Sequence, residues 1–221
     1  MEYEFTLTNR RSVAQETTEI SLAPSTGSNL KFIAGQNAEL TIPDPTYEDD
    51  LGSRRTFSIA SAPSEPILRF AYRESASGWK RSLAVLPLGA TIKVQGPYGN
   101  FTLPQSTEPV LAIAGGIGVT PFLSMIRSGP TSPLSFLSAN STPERAAYRE
   151  ELQASAQAGT LTLWEHWGLL TSEVVQNYLT QSPPSLIYIA GPVNFTALAI
   201  QAATSGGFPR EKILVEQFTG Y

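Results

Sequence analysis

VLAIAGGIGVTP, running from Val110 to Pro121, joins an apolar run, a glycine turn and the start of a helix. An apolar run without polar alternation reads as a strand buried on both faces. Gly115, Gly116 and Gly118 let backbone amides approach an anion without interference from Cβ atoms. Thr120 and Pro121 open a helix whose N-terminus carries partial positive charge, and proline fits a first turn. The spacing is not G-x-G-x-x-G, so the standard dinucleotide fingerprint is absent. Taken alone, these glycines equally fit a turn needed only for close strand–helix packing.

The same texture continues to the C-terminus. LSFLSAN precedes PERAAYREELQASAQ, LTLWEHW precedes SEVVQNYLTQ, LIYIAG precedes NFTALAIQAAT, and ILVEQF ends the series. Four strand-to-helix units and a fifth strand predict a doubly wound, five-stranded parallel sheet, because parallel strands need helical crossovers. Ala190, Gly191 and Pro192 put a second bare turn at the carboxyl edge, where such sheets bind ligands.

Before Pro104 the pattern is different. YEFTLT, TTEISLA, AELTI, TFSIAS, ILRFAYR and TIKVQ are short alternating or β-branched runs punctuated by Gly, Pro, Asn and Asp. With one helical interruption near Trp79 to Val85, they predict a small antiparallel β-barrel. The boundary falls at Gln105 to Pro109, giving a barrel domain of residues 1–107 and an α/β domain of residues 108–221. The acidic, proline-containing stretch from Pro43 to Leu51 reads as a flexible insert.

A net charge of -4 argues against non-specific binding to nucleic acid or anionic membrane. Ten of the fifteen cations lie in residues 1–107. An anion in the second half must therefore rely on backbone amides or a few arginines. The chain has no cysteine, which excludes disulfides and Cys-ligated iron–sulfur clusters, so redox chemistry needs an organic cofactor. No metal site is expected, since His166 is the single histidine and has no acid or thiol in motif spacing. The N-terminus has no apolar signal core and no segment has about eighteen uninterrupted apolar residues, so a cytoplasmic protein without a membrane span is expected.

RTFS at Arg55–Ser58 offers a guanidinium fork for phosphate, a flat ring in Phe57 and a hydroxyl in Ser58. SGWKRSL at Ser77–Leu83 begins a helix with Ser, Gly, Lys and Arg together, which suits a diphosphate. For any single residue the favoured reading is an ordinary strand with an exposed arginine, or a helix cap. With FIAGQ at Phe32–Gln36, LGATIKVQGPYGNF at Leu88–Phe101, AGGIGVTP at Ala114–Pro121, IAGP at Ile189–Pro192 and EQF near the end, the chain resembles the ferredoxin–NADP reductase family over nearly its whole length.

The resemblance implies an N-terminal flavin barrel and an NAD(P) domain, working as an NAD(P)H oxidoreductase. By position, Arg55, Thr56, Phe57 and Ser58 would hold the flavin, with Ser58 near its reactive N5. Gly78, Lys80, Arg81 and Ser82 would take its phosphate, and Tyr98 the adenine end of FAD, the cofactor implied ahead of FMN. Gly115, Gly116, Gly118, Thr120 and Pro121 would meet the dinucleotide, with Thr120 near the nicotinamide, and Gly191 and Pro192 would lie on the same rim. Glu216 and Phe218 match an acid–x–aromatic pattern whose ring covers the flavin. Tyr221 is the alternative cover, because the chain continues past Phe218. Ser58, Thr120, Glu216 and Phe218 are the catalytic candidates.

The chain departs from the pattern at Ala190, where the family often has Cys, and at Ser141, where many members carry Arg after the position of Asn140. Asn140 and Arg145, with Ser138 and Arg149, slightly favour NADPH over NADH; pairing of both arginines with Glu144, Glu150 or Glu151 is an equal reading. Electrons would leave to a separate ferredoxin, flavodoxin, oxygenase component or ferric chelate. A basic rim of Arg10, Arg11, Lys31, Arg54, Lys80 and Arg81 would suit an acidic protein acceptor. A flavin-binding electron-transfer or regulatory subunit with weak nicotinamide binding is the alternative.

Overall fold

The computed structural model describes residues 2–219 and contains two sheets. The first is antiparallel and takes its six strands from the N-terminal half: β1 (Glu2–Ala14), β2 (Thr17–Pro24), β3 (Asn37–Thr41), β4 (Arg54–Ser58), β5 (Leu68–Arg73) and β6 (Thr91–Tyr98). Their order is β4-β3-β6-β1-β2-β5. Beyond β4, the Ala60 N–H donates to the Arg69 carbonyl at 2.8 Å, so the two edge strands approach and the sheet curls into a barrel. Phe5, Leu7, Ile20, Leu40, Phe70 and Ile92 fill it from inside, as the period-two pattern requires. Helix α1 (Gly78–Val85) plugs it with Trp79 and Leu83.

The second sheet is parallel, in the order β11-β10-β7-β8-β9. Its strands are β7 (Val110–Gly115), β8 (Leu134–Asn140), β9 (Thr162–Trp167), β10 (Leu186–Pro192) and β11 (Ile213–Phe218). Helices α2 (Val119–Arg127) and α3 (Arg149–Gln157) pack on one face, and α4 (Ser172–Gln181) and α5 (Val193–Ser205) on the other. The doubly wound arrangement explains why β7 is buried at every position. Among the described residues, no helix is long and apolar enough to cross a membrane.

Two local expectations give way to packing between the halves. The predicted helix from Pro143 starts only at Arg149, because residues 143–148 dock on the β1–β2 hairpin. There the Gln15 N–H donates to the Glu144 carbonyl at 2.8 Å, and Tyr148 takes a left-handed φ of 60°. Its hydroxyl donates to Glu19 at 2.9 Å, and Glu19 is only 2% exposed. Arg127 is shared in the same way, donating to the Ala60 carbonyl of the barrel at 2.8 Å and to both oxygens of Glu151. Glu151 is therefore paired and not simply solvated.

The Pro43–Leu51 stretch is pinned rather than loose. The Tyr47 N–H donates to Ser82 Oγ at 2.8 Å, and Asp49 bonds the start of α1.

Candidate functional site

Between barrel and sheet lies a cavity of about 740 Å³. The barrel contributes the β4 run Arg55–Ser58, the end of β5 and Lys80 of α1; the sheet contributes the carboxyl ends of β7, β8, β10 and β11. This is where strand topology puts a ligand crevice.

At the barrel wall, Phe57 packs against Trp79 with ring centroids 5.2 Å apart. Ser58 donates from Oγ to Glu216 Oε2 at 3.1 Å, and Asn37 Nδ2 donates to Glu216 Oε1 at 3.1 Å. Burial raises the Glu216 carboxyl above its ordinary pKa, and the bonds from Asn37 and Ser58 oppose that only in part. Phe218, two residues on, lines the cavity from the opposite half.

Arg55 is not an open fork. Nη1 donates to the carbonyls of Gly52 at 3.0 Å and Leu51 at 3.2 Å, and Nη2 pairs with Asp49. The Asp49 carboxylate also accepts from the Trp79 N–H and the Ser77 hydroxyl, each at 2.8 Å. These donors, the Trp79 N–H first, hold Asp49 well below the usual carboxylate range. The chain's own carboxylate thus satisfies the N-terminus of α1, where a diphosphate contact was expected. Gly78 is packed on the Glu48 carbonyl, Arg81 lies over the Tyr47 ring at 3.9 Å, and Ser82 bonds the Tyr47 backbone. None of these three lines the cavity, nor does Tyr98, which is 43% exposed at the end of β6.

Lys80 and Arg73 do face the cavity, and no ion pair among the described residues includes either. Burial lowers the pKa of both, and a neighbouring cation lowers it further: Arg55 for Lys80 and Arg145 for Arg73. A bound anion relieves both penalties, so the cavity fits an anionic ligand at either residue.

The glycine loop divides its work. A Cβ on Gly118 would run into the Ala190 carbonyl, so that residue serves packing. Gly116, at φ 55°, lies at the cavity beside Arg73, whose Nη2 is 3.5 Å from where its Cβ would be. Gly115 and Thr120 also line the wall, and Thr120 donates to the Ile117 carbonyl at 3.0 Å. Pro121 is buried in α2 and Gly191 packs on Gly115 and Phe195; both stand off the cavity, whereas Pro192 lines it. Arg145 pairs with Glu16 and is likewise off the cavity, while Asn140 reaches it. Tyr221 lies outside the described residues.

Sequence reading passed over Asn37, Tyr72, Arg73 and Phe195, all on the cavity wall. Arg73 carried one usable signal: a cation ending the last barrel strand before α1.

Residues 112–200 match the model of the oxidoreductase NAD-binding domain. The chain is 30% identical to ferredoxin–NADP reductase B of Sorangium cellulosum, over 98% of this chain and 97% of that one. It belongs to the ferredoxin–NADP reductase family. It is also 34% identical, over 52% of its length, to the 2-halobenzoate 1,2-dioxygenase electron transfer component of Burkholderia cepacia, but spans only 32% of that protein. The flavohem-like FAD/NAD-binding domain of nitric oxide dioxygenase from Vibrio cholerae shares the fold, with a TM-score of 0.81 at 16% identity and 98% coverage of both chains. Like the ferredoxin–NADP reductases, the chain is an oxidoreductase of the NAD(P)H–flavin electron-transfer type, serving a separate acceptor.

Proposed function

We propose that residues 1–107 hold FAD and residues 108–221 bring NADPH or NADH to it, electrons then leaving to a ferredoxin, flavodoxin, oxygenase component or ferric chelate. The division rests on the strands: every strand of the antiparallel sheet ends by Tyr98, and every strand of the parallel sheet begins at or after Val110. FAD is favoured over FMN because Tyr98 offers an exposed ring for an adenine.

The carrying observation is one cavity lined by Lys80 and Phe57 from the barrel half, Arg73 at the end of β5, and Phe218 from the parallel sheet. Lys80, with Arg55 behind it, is the seat for the flavin diphosphate. Arg73 and the Gly116 turn are the seat for the dinucleotide pyrophosphate. A bound flavin supplies the redox chemistry, taking hydride from nicotinamide and passing electrons on.

The chain supplies position. Phe57, backed by Trp79, presents a ring on the barrel side and Phe218 one on the sheet side. The Ser58 hydroxyl donates its hydrogen bond to Glu216, which leaves the Ser58 oxygen as an acceptor at the wall. Thr120, fixed to the Ile117 carbonyl, keeps the first turn of α2 closed beside the nicotinamide.

The expected basic rim is largely engaged within the chain. Arg10 donates to the Leu83 and Leu86 carbonyls, Arg11 pairs with Glu19, and Arg54 with Glu39. Acceptor docking therefore rests less on charge than the sequence suggested.

A visible spectrum of the purified protein followed by anaerobic NAD(P)H tests the reading. Yellow colour that bleaches is expected. Colour without bleaching supports the electron-transfer or regulatory subunit, and a colourless protein that takes up no added flavin overturns both.

A further inference from the structure

We infer that the dinucleotide is unphosphorylated at its adenosine ribose, so that the chain uses NADH in preference to NADPH. The inference rests on the cavity holding a dinucleotide as proposed above. Its basis is the far end of that cavity, formed by Ala139, Asn140, Ser141, Gly168 and Leu169 at the ends of β8 and β9.

A 2′-phosphate requires cations, whereas a 2′-hydroxyl requires neutral polar partners. Arg55, Arg73 and Lys80 are the only cations among the described residues lining the cavity, and all three come from the barrel half. The two arginines that follow β8 are turned elsewhere. Arg145 pairs with Glu16 of the β1–β2 hairpin, and the backbone around it is fixed by the Gln15–Glu144 bond. Arg149 grips Glu165 through Nε at 2.6 Å and Nη2 at 3.3 Å, and its guanidinium lies 5.2 Å over the Trp167 ring. Neither lines the cavity. Glu165 also accepts from Gln153 at 3.1 Å, so the Arg149 charge is locally cancelled.

Asn140 supplies the second observation. It is 6% exposed, its Nδ2 donates to Ser138 Oγ at 3.0 Å, and its Oδ1 is buried without a hydrogen-bond partner. A buried acceptor left unpaired is costly, and a small turn of the amide toward the cavity lets a ribose hydroxyl donate to it, whereas a phosphate dianion repels it. Ser141, exposed beside it, brings no charge to replace the missing cation.

The test uses the purified holoprotein at constant ionic strength. NAD⁺ and NADP⁺ are titrated against tryptophan fluorescence, for which Trp167 is the nearby reporter, and kcat/KM is measured for NADH and NADPH. NAD⁺ is expected to bind at least about tenfold tighter, the scale of one charge-assisted contact. Ser141→Arg, at an exposed position, is expected to tighten NADP⁺ by about tenfold and leave NAD⁺ little changed. Arg73→Met is expected to weaken both equally; selective loss of NADP⁺ would assign the 2′-phosphate to Arg73 and overturn the inference. Equal or tighter NADP⁺ binding by the wild type overturns it alone, as does a Ser141→Arg variant with unchanged NADP⁺ affinity. Binding of neither nucleotide overturns the dinucleotide reading beneath it as well.

Discussion

Ser58 and Glu216, 158 residues apart in the chain, are joined by a 3.1 Å hydrogen bond at the cavity wall. The bond ties the barrel strand β4 to the last strand of the parallel sheet, and Asn37 doubles it from β3. Both donors come from the barrel half and the acceptor from the parallel sheet. The carboxylate therefore acts as a crosslink as well as a cavity wall, which gives it a signature in stability.

Because burial raises the Glu216 carboxyl, the folded chain holds that proton more tightly than the unfolded chain does. The sign follows: stability is lost as pH rises from the ordinary pKa of 4.5 through the raised one. Glu216→Gln removes this dependence while keeping an acceptor for Asn37 or Ser58. Thermal unfolding between about pH 4 and 7 is expected to show the wild type losing ground to the variant as pH rises. A constant difference across that range would mean that the carboxyl carries no burial cost.

Asp49 has the opposite sign. Its folded pKa is depressed, so its contribution is complete above the ordinary carboxylate value of about 3.9 and disappears as pH falls. Asp49→Ala is expected to cost roughly 1–3 kcal/mol at neutral pH and to flatten the acid limb of the stability profile. Asp49→Asn, which retains an acceptor for the Trp79 N–H, should fall between the two. Urea unfolding at neutral and acid pH provides the comparison.

Tyr148 tests the clasp between the halves. Burial, and then the Glu19 charge, push its phenol far above the ordinary value of 10. Stability from this group is therefore present below about pH 10 and lost above it. Tyr148→Phe should cost about 1–3 kcal/mol at neutral pH, since it strips a donor from nearly buried Glu19. The variant's alkaline unfolding should also be shallower, as followed by circular dichroism. A variant as stable as wild type would show that Arg11 alone satisfies Glu19.

The sheets were legible because their signals are local. VLAIAG and LIYIAG are continuous apolar runs, and each becomes a central strand buried on both sides. The Ser58 and Glu216 candidates were legible from motif order, and the structure brings them together. Arg73 and Asn37 were not, because their place on the cavity depends on how the halves meet, and no short-range pattern encodes that contact. Tyr148 failed for the same reason: AAYREEL reads as uninterrupted helix until Glu19 and Val13 of the barrel compete for its hydroxyl and backbone. Arg55 lines the cavity, but its engagement with Asp49 was not legible, since that partner sits in a stretch whose composition resembles loose linker.

The two proposed anion seats can be separated by substitution. Lys80 lies beside Arg55 in the barrel half, and Arg73 beside Gly116 at the sheet edge. Burial, and then a neighbouring cation, lowers the pKa of each, so a bound anion offsets both penalties. Lys80→Met should weaken flavin retention by about tenfold or more, read as the ratio of visible to ultraviolet absorbance after dialysis. Once flavin is restored in excess, its KM for the nicotinamide nucleotide should match wild type. Arg73→Met should do the reverse, keeping flavin through dialysis but raising KM for the nucleotide by about tenfold or more, with a smaller change in kcat. A uniform loss from both substitutions would mean one shared anion seat, and the arrangement of two cofactors in one cavity would then need another basis.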